Sequence, residues 1–188
     1  ELEALFARIF AGREQERFAL AVSGGSDSTA LMVLLAEWIG QTRRVPAGAV
    51  TVLTVDHGLR SASAAEAEAV AARAAALGFA HATLVWEGGK PRSGLQAAAR
   101  GARYRLTAGY ARSHGIGMIF TAPTADDQAE TLLMRLARGS GVDGLAGMAP
   151  CTHVFGMTLV RPLLGIPKER LVATLQLAER FISHSIRA

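Results

Sequence analysis

A run of small and polar residues, Ser23-Gly24-Gly25-Ser26-Asp27-Ser28, carries the clearest chemical potential in this 188-residue chain. It follows a predicted buried strand, Phe18–Val22, and opens a helix predicted over Asp27–Ile39. Glycines let a backbone approach a ligand closely, and N–H groups at a helix N-terminus attract anions. The alternative is a tight turn with Ser and Asp capping, but three hydroxyls and an acid in six residues favour a phosphate site. We expect Asp27 to ligate magnesium there, because its carboxylate would repel a phosphate.

A second polar group follows the strand predicted over Ala49–Val55. Asp56 and His57 stand at the carboxyl end of this strand, where a loop could contact a nucleotide. The alternative is a turn in which Gly58 adopts a left-handed conformation and Asp56 caps the loop. Spacing alone leaves the two interpretations evenly balanced.

Three carboxylates open the helix predicted over Ala125–Arg138. Asp126 and Asp127 lie three or four positions before Glu130, so the three side chains share one side of the helix. Such carboxylates could hold magnesium or take a proton from a nucleophile. The alternative is helix capping, because Thr124 and Asp127 have the spacing of a capping box.

Arginines and a glycine form a weaker pattern. A helix predicted from a Ser93–Gln96 capping box to about His114 carries Arg100 and Arg103. Arg138 and Gly139 lie at the C-terminal end of the helix that carries the three carboxylates. These residues could contact phosphate or RNA, although basic side chains also suit a solvated helix face or the last turn of a helix.

The elements alternate between strand and helix along the whole chain. Helices of this length between strands predict an α/β domain, with a Rossmann-like parallel five-stranded sheet and helices on both faces. Ligands bind such sheets at the carboxyl ends of the strands, so chemistry is expected just after residues 22, 55, 86 and 121. The remaining predicted elements are strands Ala82–Trp86, Gly117–Thr121 and Val154–Val160, and helices Ala64–Leu77 and Pro167–Leu177.

Composition narrows the possible classes of protein. The net charge of +4 and the pI of about 10.0 permit a polyanionic partner such as RNA. A single cysteine, Cys151, excludes an internal disulfide framework and cysteine-cluster metal sites, and fits a reducing cytoplasm. No long apolar run predicts a membrane span, and the N-terminus does not have the pattern of a signal peptide.

The order of the motifs resembles the tRNA(Ile)-lysidine synthetase family, within the PP-loop ATP-pyrophosphatase superfamily. The first loop matches the superfamily's SGGxDS pattern, and it lacks the Gly-Lys-Ser/Thr of a Walker loop. The most family-specific block begins with the DDQAET helix. The matching stretches are residues 21–28, 55–60, 94–104, 125–131, 138–148 and 161–164.

This resemblance implies a cytoplasmic ligase that uses ATP and Mg²⁺. ATP would adenylate the C2 oxygen of the wobble cytidine in tRNA(Ile) with a CAU anticodon, and free lysine would then displace AMP to give lysidine. Asp27 and Asp127 would act as catalytic acids or metal ligands. Phosphate or tRNA would contact Arg100, Arg103, Arg138 and Gly139. ATP would bind Ser23, Gly24, Gly25, Ser26, Asp27, Ser28, Asp56 and His57.

The chain departs from the family at two places. Pro123 stands where the family usually has histidine, and it removes both a ring donor and a backbone N–H. Near Gln176 the family has an acidic segment that is missing here, so we expect that a loop is absent at this point. We expect residues 1–188 to form one PP-loop domain. The rival interpretations are another PP-loop enzyme, such as a tRNA thiolase or an amide-forming synthetase, and a non-catalytic nucleotide- or tRNA-binding relative.

Overall fold

A computed structural model describes the protein at residues 2–14, 16–58, 63–91, 93–139 and 146–185, with the backbone alone over 178–185. Helices and strands alternate through most of the chain. They are, in order, α1 Leu2–Phe10, β1 Arg17–Ala21, α2 Ser26–Thr42, β2 Val50–Asp56, α3 Ser63–Ala76, β3 Ala80–Val85, α4 Leu95–Ser113, β4 Ile116–Phe120, α5 Ala125–Ala137, β5 Cys151–Val154, β6 Met157–Val160 and α6 Lys168–Ser185, with a short 3₁₀ turn at Ala47–Ala49.

The strands form one six-stranded sheet in the order β3-β2-β1-β4-β6-β5. All neighbours are parallel except β5 and β6, which pair antiparallel. The predicted α/β class is confirmed, but the sheet has six strands rather than five. The single strand predicted over Val154–Val160 is a hairpin, because Phe155 and Gly156 have φ of 50° and 76° and reverse the chain.

Helices cover both faces of the sheet and bury its apolar side chains. One core joins α1, α2, α3 and α6 to one face, with Phe10, Trp38 and Phe120 stacked at its centre. A smaller core packs α4 on the other face through Ala108 and Ala111. This layered burial fixes the sheet, and with it the loops at the strand ends. Within the described ranges, no helix is long and apolar enough to cross a membrane.

Two details of the helices differ from the sequence-based expectations. Helix α1 was not predicted, although Phe6 and Phe10 are spaced for one helical face and are both buried. Helix α4 does not use the predicted Ser93–Gln96 capping box. Its N-cap is Gly94, with φ of 67° and no side-chain capping bond, so a left-handed glycine rather than a serine sets the start of the helix.

His81 on β3 gives the fold a dependence on pH. Its ring Nε2 lies 3.0 Å from the buried Thr54 hydroxyl, and burial lowers the pKa of His81 below its usual 6.5. The unfolded chain therefore binds more protons than the folded protein as pH falls through about 6.5, so stability falls with pH in this window. Urea unfolding at pH 7.5 and 5.5 should show a loss below about 1.4 kcal/mol per pH unit from this one group, because the ring is only partly buried.

The control for this pH effect is His81→Gln, which keeps a polar partner for Thr54 but does not titrate. The variant should lose less stability between pH 7.5 and 5.5 than the original protein. Equal losses would show that other groups cause the dependence.

Candidate active site

A cavity of about 840 Å³ opens at the carboxyl ends of β1, β2 and β4. The chain passes from β1 to β2 on one side of the sheet, whereas β4 lies on the other side of β1, so the sheet has its topological switch point here. The segments that follow these strands contribute Ser23, His57 and Pro123 to the wall. Three of the four predicted strand ends therefore line the cavity. The fourth strand end, after β3, lies at the sheet edge. The backbone N–H of Trp86 there donates to the Asp56 carbonyl at the end of β2.

The loop after β1 wraps the first turn of α2. Ser28 Oγ donates to the Gly25 carbonyl at 3.1 Å and accepts from the Ser23 N–H at 3.2 Å. The N-cap residue is Gly25, and no side chain caps the helix. Gly24 has φ of 86°, a backbone conformation that favours glycine. The first N–H groups of α2 are thus left for an anionic ligand at the cavity wall.

Arginines of α4 supply positive charge to the same cavity. Arg100 and Arg103 both line it, and the Arg100 guanidinium lies 5.2 Å from the ring centroid of Tyr104. Burial, with the positive charge of Arg103 as a second cause, lowers the pKa of His57 below 6.5. His57 is therefore neutral at pH 7, and its buried Nδ1 is without a hydrogen-bond partner among the described residues. This side of the cavity suits phosphate groups.

The start of α5 brings carboxylates to the cavity. Thr124 is buried and forms a capping box with Asp127, whose Oδ2 accepts from the Thr124 N–H at 2.7 Å and from its hydroxyl at 2.9 Å. Asp127 and Glu130 both line the cavity. The capping interpretation of Asp127 is therefore confirmed. The same contacts hold its carboxylate at the cavity wall, so capping and a chemical role are compatible.

Several predicted site residues lie away from the wall. Asp56 turns its carboxylate to its own loop, accepting from the Gly58 N–H and the Ser63 hydroxyl, both at 2.7 Å. These bonds lower the pKa of Asp56, the Ser63 bond having the larger effect. The loop thus follows the turn interpretation. Residues 59–60 and 140–145 of the matching motifs lie outside the described residues. The described cavity lining does not include Gly24, Ser26, Asp56, Arg138 or Gly139.

The structure adds residues that the sequence did not single out for the site. Glu66 of α3 and Arg161, which follows β6, line the cavity. Gln128 pairs with the Met148 backbone in both directions, donating to its carbonyl and accepting from its N–H, and thereby holds this segment beside α5. Lys168, at the start of α6, donates to Asp27 Oδ2 at 3.0 Å. The Lys168–Asp27 contact spans 141 positions, so no local pattern in the sequence indicates it.

Magnesium suits the chemistry of this site, although the described residues contain no cluster of three or more metal-ligating side chains. Mg²⁺ in nucleotide sites is commonly held by one or two carboxylates together with substrate phosphates and water. Asp27 and Asp127 both line the cavity and offer oxygen ligands of this type. The available donors therefore fit a magnesium ion that takes its remaining ligands from water or from a phosphorylated substrate.

The parallel sheet and the open helix N-terminus at its switch point define an α/β protein of the phosphate-binding class. The sequence profile described as "PP-loop domain" matches residues 1–182, and the chain belongs to this family. This match confirms the superfamily that was predicted from the motif order.

Close relatives narrow the comparison. Over 89% of the chain, the sequence is 56% identical to a tRNA(Ile)-lysidine synthase of Rhodopseudomonas palustris. Over 95% of the chain, it is 52% identical to the synthase of the same name from Bradyrhizobium diazoefficiens. A synthase of the same name from Methylobacterium nodulans is 57% identical over 82% of the chain. The matched regions cover 48%, 48% and 44% of these relatives, so the chain spans about half of their length.

Solved structures support the fold alone. A U34-tRNA thiolase from Methanococcus maripaludis, determined with its [4Fe-4S] cluster, superposes with a TM-score of 0.78 at 17% identity. The match covers 95% of this chain and 62% of the thiolase. The two proteins share the arrangement of sheet and helices, and at this identity the likeness carries no inference about substrate.

Proposed function

We propose that residues 1–188 form a single PP-loop catalytic domain that joins lysine to C2 of the wobble cytidine in tRNA(Ile) with a CAU anticodon. The reaction consumes ATP and gives lysidine, AMP and pyrophosphate. The observation that most strongly supports this function is the cavity, whose wall combines the open N-terminus of α2, the α4 arginines and the carboxylates Asp27 and Asp127. The similarity to tRNA(Ile)-lysidine synthases supports this choice of substrates.

The first half-reaction transfers AMP to the tRNA. In this proposal the triphosphate lies against the uncapped start of α2, where backbone N–H groups and the Ser23 hydroxyl donate to it, while Ser28 holds the loop through its bond to the Gly25 carbonyl. The C2 oxygen of cytidine attacks the α-phosphorus, and pyrophosphate leaves. Donors that are already oriented stabilise the charge that builds on the phosphates. Arg100 and Arg103 bind phosphate groups of ATP or of the tRNA backbone.

The second half-reaction forms the new C–N bond. The adenylated oxygen is a good leaving group, so the ε-amine of lysine can attack C2 and expel AMP. Lysine enters as an ammonium ion and must lose a proton before the attack. Asp127 and Glu130, three positions apart on α5 and both on the cavity wall, attract the ammonium and accept the proton.

Asp27 and Asp127 are the residues that would hold magnesium. When bound, the ion would neutralise charge on the departing pyrophosphate. ATP, free lysine and immature tRNA all occur in the cytoplasm, which is the compartment that we propose for the reaction.

The rival functions have less support in the structure. Thiolases in this superfamily use paired cysteines, whereas this chain has only Cys151, which is exposed on the edge strand β5 and is not among the described residues that line the cavity. Amide-forming synthetases would need the first loop but not the carboxylates of α5. A non-catalytic binding module would bind ATP without cleaving it, which the following experiment detects.

AMP formation from labelled ATP tests the proposal. The 188-residue chain is incubated with lysine, Mg²⁺ and unmodified CAU-anticodon tRNA(Ile), and each component is omitted in turn. We expect AMP to depend on the tRNA and on Mg²⁺. AMP formation that needs a small carboxylic acid instead of tRNA would support an amide-forming synthetase. ATP binding without AMP would support the non-catalytic relative.

Pro123 offers a prediction about the cavity itself. Pro123 lines the wall between β4 and α5 but provides neither an N–H nor a side-chain donor. Pro123→His adds a ring N–H beside the phosphate region, so AMP formation should rise about tenfold, a modest part of what an oriented donor can contribute. The control Pro123→Ala restores the backbone N–H without the ring and should change the rate less. Equal rates for the two variants would show that the imidazole has no role.

A further inference from the structure

Lys168 joins the N-termini of three helices at the candidate active site. Its Nζ donates to Asp27 Oδ2 on α2 at 3.0 Å, and its backbone N–H donates to Asp126 Oδ2 on α5 at 2.7 Å. Lys168 itself opens α6. The backbone N–H of Ala125 also donates to the Ile166 carbonyl, just before α6. Two hydrogen bonds to α5 therefore fix the backbone around Lys168. Its long side chain is the part that can move.

Stability does not account for the Lys168–Asp27 ion pair. The lysine side chain is 52% exposed and the aspartate side chain 21% exposed. Exposed ion pairs of this kind contribute little to folding, because solvent screens them and two side chains lose freedom. The position of the pair is more informative than its strength, since Asp27 lies on the cavity wall in the first turn of α2.

Both oxygens of the Asp27 carboxylate accept a hydrogen bond in this structure. Oδ1 accepts from the Ser26 hydroxyl at 3.1 Å, and Oδ2 accepts from Lys168. The carboxylates of Asp127 and Asp126 also act on the lysine charge. The ammonium thus stands among the acids that a divalent cation would use. A cation that binds Asp27 Oδ2 would therefore compete with the lysine ammonium for the same oxygen.

We propose that Lys168 is a counterion for Asp27 in the ligand-free protein and a phosphate-binding residue in the nucleotide complex. Metal and nucleotide together displace the ammonium from Asp27, and the flexible side chain then donates to the triphosphate at the start of α2. A lysine suits this exchange because its single charged group can rotate between acceptors. The inference rests on the proposed function, which places the metal at Asp27 and the triphosphate beside it.

Metal binding without nucleotide provides the first test. Mn²⁺ titration of the 188-residue chain, followed by electron paramagnetic resonance, should show about two- to fivefold tighter binding in Lys168→Met, the factor expected when one exposed charge contact is removed. Arg112→Met removes the same charge from the last turn of α4, outside the described cavity lining, and should bind Mn²⁺ as the original protein does. The gain should vanish in the Asp27→Asn/Lys168→Met double variant. Unchanged Mn²⁺ affinity in Lys168→Met would overturn the counterion role.

Nucleotide binding provides the second test and separates the two proposals. With Mg²⁺ present, a non-hydrolysable ATP analogue should bind Lys168→Met at least about fivefold more weakly than the original protein, and Lys168→Arg should recover most of the loss. Equal analogue affinity in the original protein and in Lys168→Met would overturn the phosphate-binding role while leaving the proposed function intact. Failure of the original protein to bind the analogue at all would instead contradict the proposed function.

Discussion

Asp27→Asn should reduce the rate of tRNA-dependent AMP formation by about 10² to 10³-fold. The substitution keeps the size of the side chain but removes the charge that would hold the metal beside the pyrophosphate, and losses of this size are typical when one electrostatic contact to a transition state is removed. The Asp27–Lys168 ion pair is partly exposed, so the free energy of unfolding should change by less than about 1 kcal/mol. Initial rates with labelled ATP, together with urea unfolding, measure both effects.

The control for Asp27 is Glu37→Gln, which removes one carboxylate charge from the exposed far end of the same helix. Its AMP formation should match that of the original protein. A similar rate for Asp27→Asn and the original protein would show that Asp27 neither binds the metal nor stabilises charge in the reaction.

Asp127→Ala should lose both activity and stability, for two separable reasons. The carboxylate lines the cavity, where it is proposed to bind metal or accept the lysine proton, so we expect lysidine formation to fall by about 10²-fold or more. The same carboxylate completes the capping box with Thr124, and losing a cap costs about 1 kcal/mol. Single-turnover product formation and urea unfolding report these two losses independently.

Thr124→Ala separates the two roles of Asp127. It removes the capping hydroxyl, yet Asp127 keeps its carboxylate and the bond from the residue 124 backbone N–H. The variant should lose a similar amount of stability but retain most of the activity. Parallel losses of activity in Thr124→Ala and Asp127→Ala would show that Asp127 acts only through helix capping.

Local patterns in the sequence predicted the loop that opens α2 and the cap of α5. Glycine, serine and aspartate have strong conformational and hydrogen-bonding preferences, so the SGGSDS run and the Thr124–Asp127 spacing indicate their local geometry directly. The rule for parallel sheets then brought these loops to one edge. The first loop and the carboxylates of α5 could therefore be assigned to one site before any coordinates were known.

The hairpin of β5 and β6 could not be predicted in the same way. Two-residue hairpin turns with both residues at positive φ usually contain Asn-Gly or Asp-Gly, whereas here the turn residues are Phe155 and Gly156. A bulky residue at φ of 50° gives no turn signature, so the apolar stretch was interpreted as one strand. Strand β6 pairs with β4 on one side and with β5 on the other. This pairing is a tertiary effect that compensates for the strain at the turn.

Long-range contacts account for the other omissions. The Lys168–Asp27 ion pair depends on how α6 packs beside α2, and neither residue's neighbours in sequence indicate the other. Asp56 shows the opposite case, since its loop could be a turn or a ligand contact on spacing alone. The bonds from Gly58 and Ser63 favour the turn. Sequence patterns thus indicated the segments that line the cavity, while packing determined which side chains face it.

The most direct test of the central claim is the chemical identity of the product on the tRNA. CAU-anticodon tRNA(Ile) is incubated with the chain, ATP, Mg²⁺ and isotopically labelled lysine, then digested to nucleosides and examined by mass spectrometry. We predict a labelled lysidine nucleoside that replaces the wobble cytidine and is absent when ATP or lysine is omitted. ATP consumed with the wobble cytidine left unmodified, or carrying a group other than lysine, would contradict the account.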